Sequence, residues 1–261
     1  MASTRHPKLT LAGFRSNIIA ALLIICAGAP FALGGCAADV RALVSSQSGY
    51  VDAKALDLGR LLPPGPANDS AVTRAELDLM LKIQERRTPA EAARAKADAE
   101  VSIYRFADAL GNTPGFEAKN LPLTQALFKR VLATEGDMVG PGKDYFGRPR
   151  PFVLEPRLTP VIAKPMNPSY PSGHTTWARA VGLILADMIP ERRPQILARA
   201  DEYAFNRVVA GVHYPSDVEG GKLAGTALAA LLFASPPFVS DYAGARSELR
   251  RVLGLPEQPA K

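Results

Sequence analysis

The sequence predicts an all-α fold: one compact helical domain. Three observations carry that expectation. Apolar residues recur at helical spacing from about Ser70 to Leu253. Helix-start and helix-stop residues punctuate that run. No stretch alternates as a strand would, and no segment repeats. A chain of 261 residues suits one domain of moderate size and can bury a sizeable core.

Residues 1–35 read as an export signal. A basic stretch from Arg5 to Arg15 leads into an apolar run from Ile18 to Leu33, followed by small residues. The run ends Leu33-Gly34-Gly35-Cys36, which resembles the lipobox of bacterial lipoproteins and implies cleavage before Cys36 and lipidation of its thiol. Ordinary cleavage near Ala37 or Ala38 is the plainer alternative. A retained anchor ranks third, because the run is short for a membrane span. The formal charge of +6 then overstates the basicity: without Arg5, Lys8 and Arg15 the balance is 28 basic to 25 acidic residues. That balance gives no reason to expect nucleic acid as a partner. The only cysteines are Cys26 and Cys36, so lipidation at Cys36 leaves no thiol for catalysis, a disulfide or a cysteine zinc site.

Residues 36–69 form an arm without clear periodicity, rich in proline around Leu62 to Pro66. It could act as a tether or pack on the helical domain, residues 70–261. Within that domain Ala71 to Arg86 carries apolar residues at helical spacing. Thr88-Pro89-Ala90-Glu91 is a capping box with Pro at the first helical position, opening a helix to about Leu110. Leu123 to Ala133 is a third helix. Residues 139–171 hold eight of the chain's 23 prolines and are expected to form a functional loop, being too long for an ordinary connector. Helices resume from Ser172 to about Met188, then from about Arg193 to Ala210 with Gly211 as the stop. A capping box from Ser216 to Glu219 is expected to open a helix to Phe233, and a final amphipathic helix spans Asp241 to Leu253. The apolar runs at 181–189 and 223–234 are short for membrane spans and read as core.

The histidines single out the chemistry. Only three occur, and His6 lies in the signal segment. The others sit in compact polar clusters: Pro171-Ser172-Gly173-His174, and Asn206-Arg207 followed by His213 and Asp217. A third cluster, Lys143 through Arg150-Pro151, precedes them. Phosphoryl transfer asks a protein mainly to position the group and neutralise its oxygens. Lys143, Arg150 and Arg207 would supply charge, and the planar guanidinium can hold two phosphate oxygens at once. Ser172 and Gly173 lie where a loop enters a helix, and unpaired N–H groups there make an anion site. Asp217 could hold one nitrogen of His213 and leave the other as nucleophile. His174 could then protonate the departing oxygen. Taken singly each residue has a plainer reading: a helix-capping His174, solvated Lys143, Arg148 and Arg150, an Arg207 paired with Asp201 or Glu202, an Asp217 favouring a helix dipole. The clusters weigh more together, because they hold both histidines of the mature chain.

The pattern Lys-x6-Arg-Pro, Pro-Ser-Gly-His and Ser-Arg-x5-His-x3-Asp resembles that of the type 2 phosphatidic acid phosphatase superfamily. The chain shows it at Lys143 to Pro151, Pro171 to His174 and Arg207 to Asp217. Leu61 to Pro66, Asp69 to Ala71, Asn167 to Thr175 and Gly211 to Asp217 are similar to the class A bacterial acid phosphatases. The resemblance implies the all-α fold shared with vanadium haloperoxidases and a metal-independent, cofactor-free acid phosphatase of broad specificity. It assigns His213 as the nucleophile of a phosphohistidine intermediate, Asp217 as its orienter and His174 as general acid. Lys143, Arg150, Arg207, Ser172 and Gly173 would bind phosphate. Asn206 departs from the pattern's Ser, and altered phosphate contacts are expected there. The expected partners are small phosphate esters and a second copy of the chain, with the membrane met only through Cys36, in the periplasm. A vanadium-dependent haloperoxidase and a lipid phosphate phosphatase are the alternatives.

Overall fold

The computed structural model of the protein describes residues 49–52 and 55–257. The signal segment and Cys36 lie outside them. Among the described residues the chain is helical and contains no strand. The helices are α1 (Leu58–Leu61), α2 (Ala71–Arg86), α3 (Pro89–Ala97), α4 (Pro122–Phe146), α5 (Pro151–Leu154), α6 (Gly173–Met188), α7 (Arg193–Val209), α8 (Pro215–Phe233) and α9 (Pro236–Val252).

Several boundaries follow from residues readable in the chain. Ser70 accepts the Thr73 N–H at the start of α2, and Thr88 and Glu91 form the expected reciprocal box at the start of α3. Ser172 caps α6, and Gly211, at φ +78°, follows the end of α7.

Four boundaries differ from the sequence expectation, the first three for a tertiary reason. Helix α3 stops at Ala97 and does not reach Leu110. The residues that follow are drawn into long-range bonds: the Asp98 carboxylate accepts from Arg105, Arg199 and Asn206, and the Ala99 carbonyl meets His174. Helix α4 runs straight past Ala133 and through Pro141 to Phe146, so Lys143 lies on a helix and not in a loop. Its buried stripe, Leu127, Val131, Thr134, Met138 and Gly142, keeps helical spacing across the proline, and packing against neighbours outweighs one lost hydrogen bond. Helix α8 starts at Pro215, and Ser216 does not cap it; its hydroxyl is held by Arg148 and Glu76. Helix α9 begins at Pro236, well before Asp241.

Helix α6 is the spine of the core, packed most extensively against α7 and α8. Trp177, Ile184, Leu185 and Met188 on it are fully or almost fully buried, and Trp177 nests among Phe106 and Tyr203. Burying a side chain of that size stabilises by roughly 1.5–3 kcal/mol. The arm contributes too: Tyr50, Leu58 and Leu62 join this core, and Leu58 packs where Gly142 leaves room on α4. The α6–α8 contact requires glycine. A Cβ at Gly221 would lie 2.6 Å from the Ser172 carbonyl oxygen, and one at Gly225 would strike the Thr176 carbonyl. This close approach sets the Pro171–His174 segment beside the His213–Asp217 segment, where the Ser172 N–H donates to the Asp217 carbonyl at 3.0 Å.

Candidate active site

A cavity of about 410 Å³ opens where α4, α6, α7 and the proline-rich segment converge. Lys143, Arg150, Gly173, His174, Arg207 and His213 line it, so all three sequence clusters meet at one place. Asp217 stands behind His213, fully buried. Ser172 is buried as the cap of α6, its hydroxyl engaged with Thr175, and it does not line the cavity. Asn206 does not line it either. Its amide donates to Asp98 at 2.8 Å, away from the cavity, at the position where altered phosphate contacts are expected.

The His213 ring is fixed at both nitrogens. Nδ1 lies 3.1 Å from the Asp217 Oδ2, which can only accept, so Nδ1 carries the proton. Nε2 then presents a lone pair, and the Arg150 Nη1 stands 2.9 Å from it. Asp217 is held in turn by Arg148 at 2.7 Å, by the Ser169 hydroxyl at 2.5 Å and by the Tyr214 N–H at 3.0 Å. Burial, then Arg150, Lys143 and Arg207, keep the His213 imidazole well below its usual range, so it is neutral at working pH.

His174 Nε2 donates to the Ala99 carbonyl at 3.0 Å, which leaves Nδ1 as the second ring nitrogen. Burial and then Arg207 push this imidazole down to about 4. Lys143 Nζ donates to the Pro168 and Ser169 carbonyls at 2.8 and 3.0 Å, and burial together with Arg150 lowers it to about 7. Arg150 is anchored by the Asn167 side chain and backbone and by the Val212 carbonyl. Arg207 is different. Its Nε and Nη1 are buried with no hydrogen-bond partner, although the sequence offered Asp201 and Glu202. Those two carboxylates go to Lys222 and to Arg94 and Arg199. Burial pushes Arg207 down to about 10.

Sequence reasoning missed the residues behind the site. Arg148, read as a bystander, bridges Asp217, Ser216 and Glu76 and stacks 3.9 Å over the Tyr214 ring. Glu76, Asp98 and Glu135 carried no local signal: Glu76 meets Arg148 and Ser216, and Asp98 meets Arg199 and Asn206, far off in the chain, while Asn167 and Ser169 fell in the stretch similar to the class A enzymes without a role of their own. Among the described residues no cluster of His, Cys, Asp and Glu is placed to hold a metal ion. Nor is any single helix among them long and apolar enough to cross a membrane.

Residues 126–240 match the PAP2 superfamily. The chain is 32% identical over 197 residues to a non-specific acid phosphatase of Salmonella typhimurium, covering 72% of this chain and 78% of that one. Among solved structures it resembles a transmembrane PAP2-type phosphatidylglycerolphosphate phosphatase from Bacillus subtilis, with a TM-score of 0.50 at 20% identity, over 68% of this chain and 89% of that one. A bacterial vanadium-dependent iodoperoxidase gives the same TM-score and identity over 66% of this chain and 51% of its own. The likeness to these two concerns the fold.

Proposed function

The chain belongs to the PAP2 superfamily, and on that premise we infer that it is an acid phosphatase hydrolysing phosphate monoesters through a phosphohistidine on His213. One observation carries the reading: Arg207, whose Nε and Nη1 are buried without a hydrogen-bond partner, lines a cavity together with two more cations and two histidines. An unpaired buried charge is costly, and a phosphoryl dianion supplies the missing acceptors.

Arg150, Arg207 and Lys143 hold the phosphoryl oxygens, with the backbone at Gly173 at the start of α6. Binding draws the Arg150 guanidinium from Nε2 of His213 to the phosphate and frees the lone pair. Nε2 bonds to phosphorus as the ester P–O bond breaks, and the departing oxygen takes a proton from Nδ1 of His174. Asp217 stabilises the charge that develops on the His213 ring. Water then attacks phosphorus, giving its proton to His174 as the N–P bond breaks, and inorganic phosphate leaves.

His174 is neutral in the empty site at neutral pH, so its acid role depends on the substrate. Unit charges about 4 Å apart at an effective dielectric of 20 attract by about 4 kcal/mol. That equals roughly three pKa units, enough to bring His174 from about 4 into the neutral range. Arg150, Arg207 and, below about pH 7, Lys143 supply the charge that a metal ion would otherwise provide. A second cavity of about 520 Å³ adjoins the first at Val101, Leu132 and Trp177 and gives room to varied leaving groups, in keeping with broad specificity.

The test is p-nitrophenyl phosphate hydrolysis from pH 4 to 8 with EDTA present, beside His213→Ala and with alkaline-denaturant quenching to trap the acid-labile phosphoprotein. Turnover in EDTA and a phosphoprotein absent from the variant are expected. No turnover at any pH would overturn the reading and leave halide oxidation with vanadate and peroxide to be assayed. Periplasmic export with a lipid at Cys36 is part of the proposal, supported by the N-terminal pattern. Palmitate labelling lost in Cys36→Ser checks it, and sedimentation checks the homodimer.

A further inference from the structure

Among the described residues Glu135 is the one carboxyl group that lines the phosphate cavity, and the mechanism above leaves it unused. It lies on the buried stripe of α4, two turns before Lys143, and is 7% exposed. Among the described residues nothing donates a hydrogen bond to it. Its Oε1 stands 3.1 Å from where a Cβ on Gly173 would be, against the helix start that receives the phosphoryl group. A carboxylate in that place would repel the substrate that three cations are arranged to attract. The charged and titratable groups around the cavity are Lys143 on the same helix, Arg150 on the proline-rich segment, His174 on α6, Arg207 on α7, and His213 with Asp217 behind it. Of these only Lys143 acts appreciably on Glu135.

Resting on the phosphatase reading, we propose that Glu135 is a substrate-positioning residue that binds as the neutral acid and shares one proton with a phosphoryl oxygen. The proton can come from the acid itself or arrive on a monoanionic ester; the bound complex is the same. A neutral carboxyl is one donor with acceptor capacity left over, which suits a phosphoryl oxygen that Lys143, Arg150 and Arg207 do not cover. Without that proton two anions face each other across a hydrogen-bond distance at a largely buried carboxyl. Burial supports the protonated form, pushing Glu135 up to about 8 against the pull of Lys143. The carboxyl therefore stays neutral below that pH and becomes an obstacle above it.

Glu135→Gln separates this role from a structural one. The amide keeps shape and donor but cannot ionise. The proposal expects kcat/KM at pH 5 within about threefold of the wild type, and an alkaline limb displaced upward, so that at pH 8.5 the variant exceeds the wild type by about fourfold. The inhibition constant of inorganic phosphate should move in parallel, with kcat nearly unchanged. If Glu135 merely keeps Lys143 charged, the amide lowers the lysine's proton affinity and moves the limb to lower pH. That shift, an unmoved limb, or loss of phosphate binding at pH 5 in a folded variant overturns the proposal. A second measurement needs no folded variant: infrared difference spectra of the wild-type protein on adding phosphate at pH 6. A perturbed protonated-carboxyl C=O band is expected, and its absence overturns the proposal. Should the wild type bind phosphate without turning over any ester, the phosphatase reading fails while the phosphate and infrared results still decide Glu135.

Discussion

Arg148 and Arg207 are both withdrawn from solvent, 5% and 2% exposed, and both belong to the same site. Arg148 spends its guanidinium on Glu76, Ser216 and Asp217, with only Nε unmatched. Arg207 leaves Nε and Nη1 with nothing. The region behind His213 is closed electrostatically: each carboxylate there has a cation or several donors. The region in front is open, and among the described residues its cations, Lys143, Arg150 and Arg207, make no ion pair, though Asp98 and Asp217 act on them from a distance. Identical residue types thus do opposite work. A paired buried arginine fixes geometry, and an unpaired one stores affinity for an anion at a cost to the folded state.

The largest effect should come from the residue between the two regions. His213→Ala is expected to lower kcat/KM for p-nitrophenyl phosphate by about 10⁴-fold or more, with inorganic phosphate still binding; a smaller loss would remove it as the nucleophile. Arg148→Ala probes the paired side. Removing one partner from a buried network costs about 3–5 kcal/mol, to be read as a lower denaturation midpoint with the slope unchanged. Arg207→Gln probes the open side and should behave oppositely. Turnover falls by about 10²–10³-fold while the melting temperature holds or rises, because an unpaired buried charge has been removed. A melting temperature that drops as far as for Arg148→Ala would erase the distinction.

Inorganic phosphate should reveal the open region directly. At a hundred times its dissociation constant it is expected to stabilise the protein by about 2.7 kcal/mol, seen in thermal scans. Burial lowers Lys143 to about 7, so its charge is present below that pH and lost above. The stabilisation should therefore shrink as pH rises through 7, by up to about tenfold in affinity per unit. The smallest effect belongs to Asn206→Ser, which restores the superfamily residue. It removes one bond from an Asp98 that keeps Arg105 and Arg199, so a loss of about 1 kcal/mol in stability and little change in KM are expected.

The legibility of the chain divides along the same line. Helix existence and the α2 and α3 starts were readable because caps and periodicity act within a few residues. The motif residues were readable because spacing along one turn or helix places them together, as with His213 and Asp217. Glu76 reaches Ser216 from 140 positions away, and Arg148 reaches Asp217 across 69, distances over which no local pattern operates. The course of α4 through Pro141 was hidden for the same reason: glycine and proline signal a break locally, and only the packed neighbours keep the helix intact. Arg207 shows the converse. The sequence placed Asp201 and Glu202 within reach, and the fold drew both to other cations.

The sequence by itself determined an all-helical chain and the set of groups that can move a phosphoryl group, because propensity, capping and side-chain chemistry are local properties. Tertiary structure alone decided which buried charges are neutralised, since pairing depends on what the packing of α2, α4, α6, α7 and α8 brings within 3 Å. It also left Glu135 against the cavity, and the unmatched remainder of that pairing is the candidate active site.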